Sequence, residues 1–137
     1  MNRPYVVCHI FSALDGAIIG AFMTTAESRA AQKQYGETRV LFHCDAVLYG
    51  TTTMLDFCDG WITDLSETMP AARKDYISPN AKGHFVVAID RHGRLAYSQN
   101  YLDRHGARSH IIEVLTESVP DAYINYLRKM DISYIFA

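Results

Sequence analysis

Apolar residues come in short, separated runs along this chain, and residues that turn the backbone bound each run. The first, Tyr5 to Phe11, is rich in Val and Ile and too short for a helix, which predicts a strand buried on both faces. It leads directly into Ser12-Ala13-Leu14-Asp15-Gly16-Ala17-Ile18, where Asp-Gly turns the chain and glycine supplies backbone angles other residues avoid. Gly20 and Thr24-Thr25 mark a loop, and Thr24 with Glu27 has the spacing of a capping box at a helix start. The helix is expected to reach about His43, with Gly36 as a candidate break and Val40, Leu41 and Cys44 on one face. Asp45 closes it, Ala46 to Tyr49 forms a second short buried strand ending at Gly50, and Thr51 to Phe57 can form a short helix.

Mixed polarity with Pro70, Pro79 and Asn80 makes Asp59 to Gly83 an excursion, with one helical turn around Ala71 to Tyr76. His84 to Ile89 is the clearest strand by composition, Asp90-Arg91-His92-Gly93 turns, and Arg94 to Ser98 extends away. Ser109 to Leu115 is a further strand. A helix then starts at Ser118-Val119-Pro120-Asp121: Ser118 suits the cap, Pro120 the first turn and Asp121 the positive end of the dipole. Val119, Tyr123, Tyr126 and Met130 repeat at helical spacing and form its buried stripe, and Ile132 to Phe136 is the last strand. Strands alternating with helices predict an α/β fold with a mostly parallel sheet covered on both faces.

A chain of 137 residues is expected to be a single domain with a sizeable core. A formal net charge of −2 argues against nucleic acid or an anionic membrane as obligatory partner. No apolar run approaches the roughly 20 residues of a membrane span, and Met1-Asn2-Arg3-Pro4 is no signal peptide. Cys8, Cys44 and Cys58 are odd in number and widely spaced, which suits reduced thiols and a cytoplasmic protein, with Cys8 a small core residue of the first strand. The six histidines form no metal-ligand spacing, and neither a nucleophile elbow nor a P-loop is present.

Three places could carry chemistry. Asp15 lies on the first turn after a buried strand, where α/β proteins put ligand-contacting groups; it could equally do no more than fix the turn. Gly50-Thr51-Thr52-Thr53 ends a strand and opens a helix, a place where free N–H groups and hydroxyls bind phosphate and where a plain threonine cap would read the same. Asp90-Arg91-His92-Gly93-Arg94 offers two guanidinium groups and an imidazole beside a strand end, either for a phosphate monoester or as a solvated turn.

Taken in order, Leu14-Asp15-Gly16-x-Ile18, Asp45-Ala46-Val47-Leu48-Tyr49-Gly50-x-x-Thr53 and Val86-Val87-x-Ile89-Asp90-x-x-x-Arg94-Leu95 resemble the reductase domain of bacterial riboflavin biosynthesis. Ile111 to Glu117, and Tyr134-Ile135-Phe136-Ala137 after it, resemble a stand-alone branch of that family. The resemblance implies a dihydrofolate-reductase-like fold and reduction of a ribosylamino-pyrimidine to its ribityl form, with NADPH as hydride donor. It implies that Asp15, with Ala13, Leu14 and Gly16, faces substrate and nicotinamide. Gly50, Thr51, Thr52 and Thr53 would hold the cofactor phosphates, with Arg91 near the adenosine 2′-phosphate.

The chain departs from the family pattern at Ala13 and Ala17, where Ser and Lys are usual, and at Phe57-Cys58-Asp59, where Asp-Asp-Pro is common. Family members also continue beyond the Tyr-Ile-Phe-Ala strand, so the resemblance implies a truncated domain lacking its C-terminal third. On that expectation Ile132 to Phe136 is left as a bare apolar edge, which calls for a homodimer or higher homo-oligomer. The cofactor groove would be open on one side and NADPH would bind weakly or not at all. A second reading stays open: a non-catalytic fragment or self-associating domain of the same fold.

Overall fold

The computed structural model describes residues 3–66, 69–104 and 107–137, and its contacts divide the chain into two compact units, Met1–Cys44 and Asp45–Ala137. In the first unit residues 5–11 form no strand, which corrects the sequence expectation. Val7, His9 and Phe11 are half-buried, whereas Tyr5, Val6, Cys8 and Ile10 are exposed, so Cys8 is not a core residue. The half-buried side chains pack within the unit: His9 stacks on Tyr35 at 4.1 Å, and Phe11 lies 5.8 Å from Phe22. An apolar run states a demand for burial; it does not supply a hydrogen-bonding neighbour.

Helix α1, Ala26–Leu41, runs unbroken through Gly36. Its cap is Thr25, which accepts from the N–H of Ser28 at 3.2 Å, one residue later than the spacing of Thr24 and Glu27 suggested. The Thr24 hydroxyl is instead donated to the Ala21 carbonyl, closing a single 3-10 turn over Ala21–Thr24. Val40 and Leu41 are exposed, not part of a buried face.

The second unit is an α/β arrangement. Its elements are β1 (Ala46–Gly50), α2 (Thr51–Met54), β2 (His84–Ile89), β3 (Tyr101–Arg104), β4 (Ala107–Leu115), α3 (Asp121–Lys129) and β5 (Ser133–Phe136). The five-stranded sheet is parallel in all pairings but one: β1 pairs with β2, β2 with β4 and β4 with β5 in parallel, while β3 runs antiparallel to β4. One edge of β4 is shared, its first residues by β3 and Ile112 to Leu115 by β5. β1 is half-exposed rather than buried, and Leu48 projects outward.

Helix α3 covers one face of the sheet. Val119, Tyr123, Ile124 and Leu127 are buried with Val86, Ala88, Ile111 and Leu115, each large aliphatic side chain contributing roughly 1.5–3 kcal/mol. The Asp121 and Lys129 ends suit the helix dipole, but Pro120 is the cap residue, and Ser118 turns its hydroxyl to Thr116 at 2.8 Å instead. Residues 69–80 form no helical turn; Tyr76 bridges Tyr134 of β5, and Asp75 accepts from the N–H of Phe136 at 2.9 Å. This overturns the expected bare edge at Ile132 to Phe136: Tyr134 is fully buried and its main chain is paired.

Candidate functional site

In parallel strands all carboxyl ends point the same way, so the loops that leave them gather at one edge. Gly50 is in register with Ile89, so β1 and β2 end at the same level. The Thr51 hydroxyl donates to the Ile89 carbonyl at 2.6 Å, tying the start of α2 to the end of β2. Gly50-Thr53 and the turn of Arg91 are thereby brought together on the carboxyl edge.

Gly50 has ordinary extended angles (φ −74°, ψ 164°), and a Cβ added there would meet nothing within 4 Å. Open space thus lies over the backbone that begins α2. The leading N–H groups of a helix have no partner within it, and the Thr52 and Thr53 hydroxyls are exposed beside them. Thr51 is the exception, since its hydroxyl proton is already given to Ile89.

The turn after β2 is built around Asp90, whose Oδ2 accepts from the N–H of Arg94 at 2.5 Å and of Leu95 at 2.9 Å. Gly93 completes it with φ +62°, packed so closely that a Cβ would lie 2.6 Å from Tyr123 Cδ1. Arg91 and His92 are exposed on this turn. Thr116 supports it by donating to the Arg91 carbonyl at 2.8 Å. Arg94 is placed differently, with its guanidinium 4.6 Å from the centre of the Trp61 ring.

Asp15, Ala13, Leu14 and Gly16 share one tight loop of the first unit. The Asp15 carboxylate accepts from the N–H of Ala17 at 3.0 Å, Gly16 has φ +85°, and the N–H of Ala13 donates to the Ala17 carbonyl at 2.8 Å. Asp15 therefore fixes its turn and remains exposed. An open concavity of about 290 Å³ adjoins the loop, lined by Phe11, Ser12, Ala13, Leu14, Phe22 and Glu27 among others.

Sequence reasoning missed several members. Glu27 enters there only through its capping-box spacing, and Thr116, just past the strand Ser109 to Leu115, is given no role; its bond to the Arg91 carbonyl spans 25 residues and leaves no local signal. It also passed over the fully buried Glu113 on β4, whose signal is a carboxyl between apolar neighbours in a strand. Burial pushes the Cys58 thiol up from its ordinary value, so the residue is a poor nucleophile. Among the described residues no three His, Cys, Asp or Glu side chains converge on a cation position, and no helix is long and apolar enough to cross a membrane. No family model matches the chain, and it matches neither a curated protein nor a solved structure.

Proposed function

We propose that the chain is an NADPH-dependent reductase of the riboflavin-biosynthesis pyrimidine type, on a dihydrofolate-reductase-like sheet, with a ribosylamino-pyrimidine as substrate. The observation that carries this reading is the carboxyl edge, where the open start of α2 and the exposed Arg91 lie together. Its donor set suits phosphate: orphan N–H groups, two exposed hydroxyls and a guanidinium.

On this reading the backbone of Gly50 to Thr53, with Thr52 and Thr53, holds a cofactor phosphate, and Arg91 pairs with the 2′-phosphate. Thr51 orders the helix start through Ile89 and does not donate to the ligand. When bound, NADPH supplies the hydride. The loop of Ala13, Leu14, Asp15 and Gly16 serves the substrate, with Asp15 as hydrogen-bonding group or proton-relay member. Phe11 and Phe22 line the open concavity beside that loop, and catalysis is chiefly positioning. Three free cysteines fit a reducing, cytoplasmic setting.

The test is a titration with NADPH followed by turnover of the ribosylamino-pyrimidine, read as loss of reduced-nicotinamide absorbance. Saturable binding with turnover supports the reading; the absence of both removes it. Asp15→Asn retains a carbonyl acceptor for Ala17, so turnover should fall while stability holds.

A second reading, a non-catalytic domain that self-associates as a homo-oligomer, is favoured by a different observation. Among the described residues fourteen large hydrophobics are exposed, and ten of them fall between Tyr5 and Phe42. Light scattering decides it: a monomer at tens of micromolar, roughly where weak interfaces associate, rules it out.

A further inference from the structure

Two carboxyls lie in the core of the second unit, and among the described residues neither is ion-paired. Glu113 on β4 stands opposite Ala88 on β2, and Asp90 follows two residues after Ala88. Alternation places both side chains on the same face of the sheet as diagonal neighbours. Glu113 is fully buried and Asp90 is 1% exposed. Glu113 Oε1 accepts from the Tyr97 phenol, and its Oε2 has no partner. Asp90 Oδ2 takes the two N–H bonds of its turn and a long one, 3.5 Å, from the Tyr123 phenol, while Oδ1 has none.

The titratable groups that face Glu113 come from every neighbouring element: Asp90 from the end of β2, Tyr97 beyond the turn, Tyr123 and Tyr126 from α3, and Cys58 after α2. His110 is three residues away on β4 and so on the opposite face, where it meets Ser133. Arg94 is turned to Trp61, and no Lys, Arg or His among the described residues is ion-paired with either carboxyl. At Glu113 an ionised carboxylate in such surroundings is costly, and this side chain keeps its proton instead. Burial pushes Glu113 well above the usual carboxylate range; the Tyr97 hydrogen bond pulls it back and Asp90 adds to the rise.

We propose that Glu113 is held as the neutral acid and acts as a pH-sensitive switch, its ionisation repelling Asp90 and releasing the turn that carries Arg91. A carboxyl protonated when folded and ionised when unfolded stabilises fully below its unfolded value, near 4.5. That stabilisation is lost as the pH rises through the raised folded value, because the unfolded chain then binds fewer protons.

Urea unfolding of the wild type and of Glu113→Gln, at several pH values from about 5 to about 9, reads the switch. Relative to the variant, the wild type should lose up to about tenfold in folding constant per pH unit until the acid ionises in the folded protein. Amide-exchange protection of Arg94 and Leu95 should fall over the same range in the wild type and hold in the variant. Parallel unfolding profiles, or unchanged protection, overturn the proposal. The infrared spectrum of the wild type at neutral pH keeps the question answerable if the variant does not fold. A protonated-carboxyl band that disappears on unfolding is expected, and its absence from the native spectrum overturns the proposal.

Discussion

Tyr76 and Tyr134 are joined twice through the main chain: the N–H of Tyr76 reaches the Tyr134 carbonyl at 2.9 Å, and the N–H of Tyr134 returns to Tyr76 at 2.8 Å. A segment without regular structure thus serves as partner for the outer edge of β5. Side chains fasten it. Asp131 accepts from the Tyr76 phenol at 2.7 Å, the Ser78 hydroxyl at 2.8 Å and the Asn80 amide at 3.0 Å, and Arg73 donates to Asp121 at 2.6 Å.

Asp131→Ala should therefore destabilise the second unit by about 2–3 kcal/mol, because these three donors and the Asn100 amide, at 3.4 Å, lose their acceptor together. Asp131 also has φ +56°, a backbone angle that asparagine tolerates better than alanine. Asp131→Asn should cost about half as much, and urea denaturation of the two variants checks the order.

The same residue sets an acid limit. The Asn80 amide, then the Tyr76 and Ser78 hydroxyls, hold the Asp131 carboxyl below its ordinary value of 3.8. Its contribution is fully present above that value and is lost as the pH falls through the lower, folded one. Acid unfolding should therefore begin at higher pH in Ser78→Ala than in the wild type, as followed by circular dichroism.

Glycines separate into opposite cases. Gly93→Ala places a methyl 2.6 Å from Tyr123 and 2.7 Å from Val119 at a positive φ, and should cost about 3 kcal/mol. Gly36→Ala fills open space in the interior of α1 and should stabilise by about 0.5–1 kcal/mol. Thermal unfolding of the pair distinguishes them by sign.

At the carboxyl edge, Gly50→Val introduces a side chain whose Cβ meets no protein atom within 4 Å and suits the extended angles there. Stability should stay within about 0.5 kcal/mol of the wild type. NADPH affinity should fall at least about tenfold, because the branched side chain occupies the approach to the N–H groups. Arg91→Ala should likewise weaken NADPH about tenfold while leaving NADH unchanged, which isothermal titration with both cofactors would measure.

Legibility in the sequence followed the range of the interactions. β2, β4, β5 and α3 could be read because each is an apolar run or stripe closed by turn residues, signals contained within a few positions. β3 could not, since Tyr101 to Arg104 carries mixed polarity and is a strand only because β4 lies beside it. Residues 5–11 failed in the reverse sense, having strand composition and no strand partner among the described residues. Of the site, Gly50-Thr53 and the Arg91 turn were visible because strand ends announce themselves, whereas the link from Thr51 to Ile89 spans 38 residues and leaves no local trace. The Asp131 hub was equally hidden, with Tyr76, Ser78 and Asn80 lying more than fifty positions upstream and Asn100 thirty-one.

The divided edge of β4 has a consequence in time. Three strands draw their partner from residues 107–115, so β1 and β2 can form only a two-stranded piece until that segment has been synthesised. The loop closures that complete the sheet all end on one strand, which makes its arrival the slow event of assembly. Shortening an aliphatic side chain in β4, such as Ile111→Val, should therefore retard folding more than it hastens unfolding.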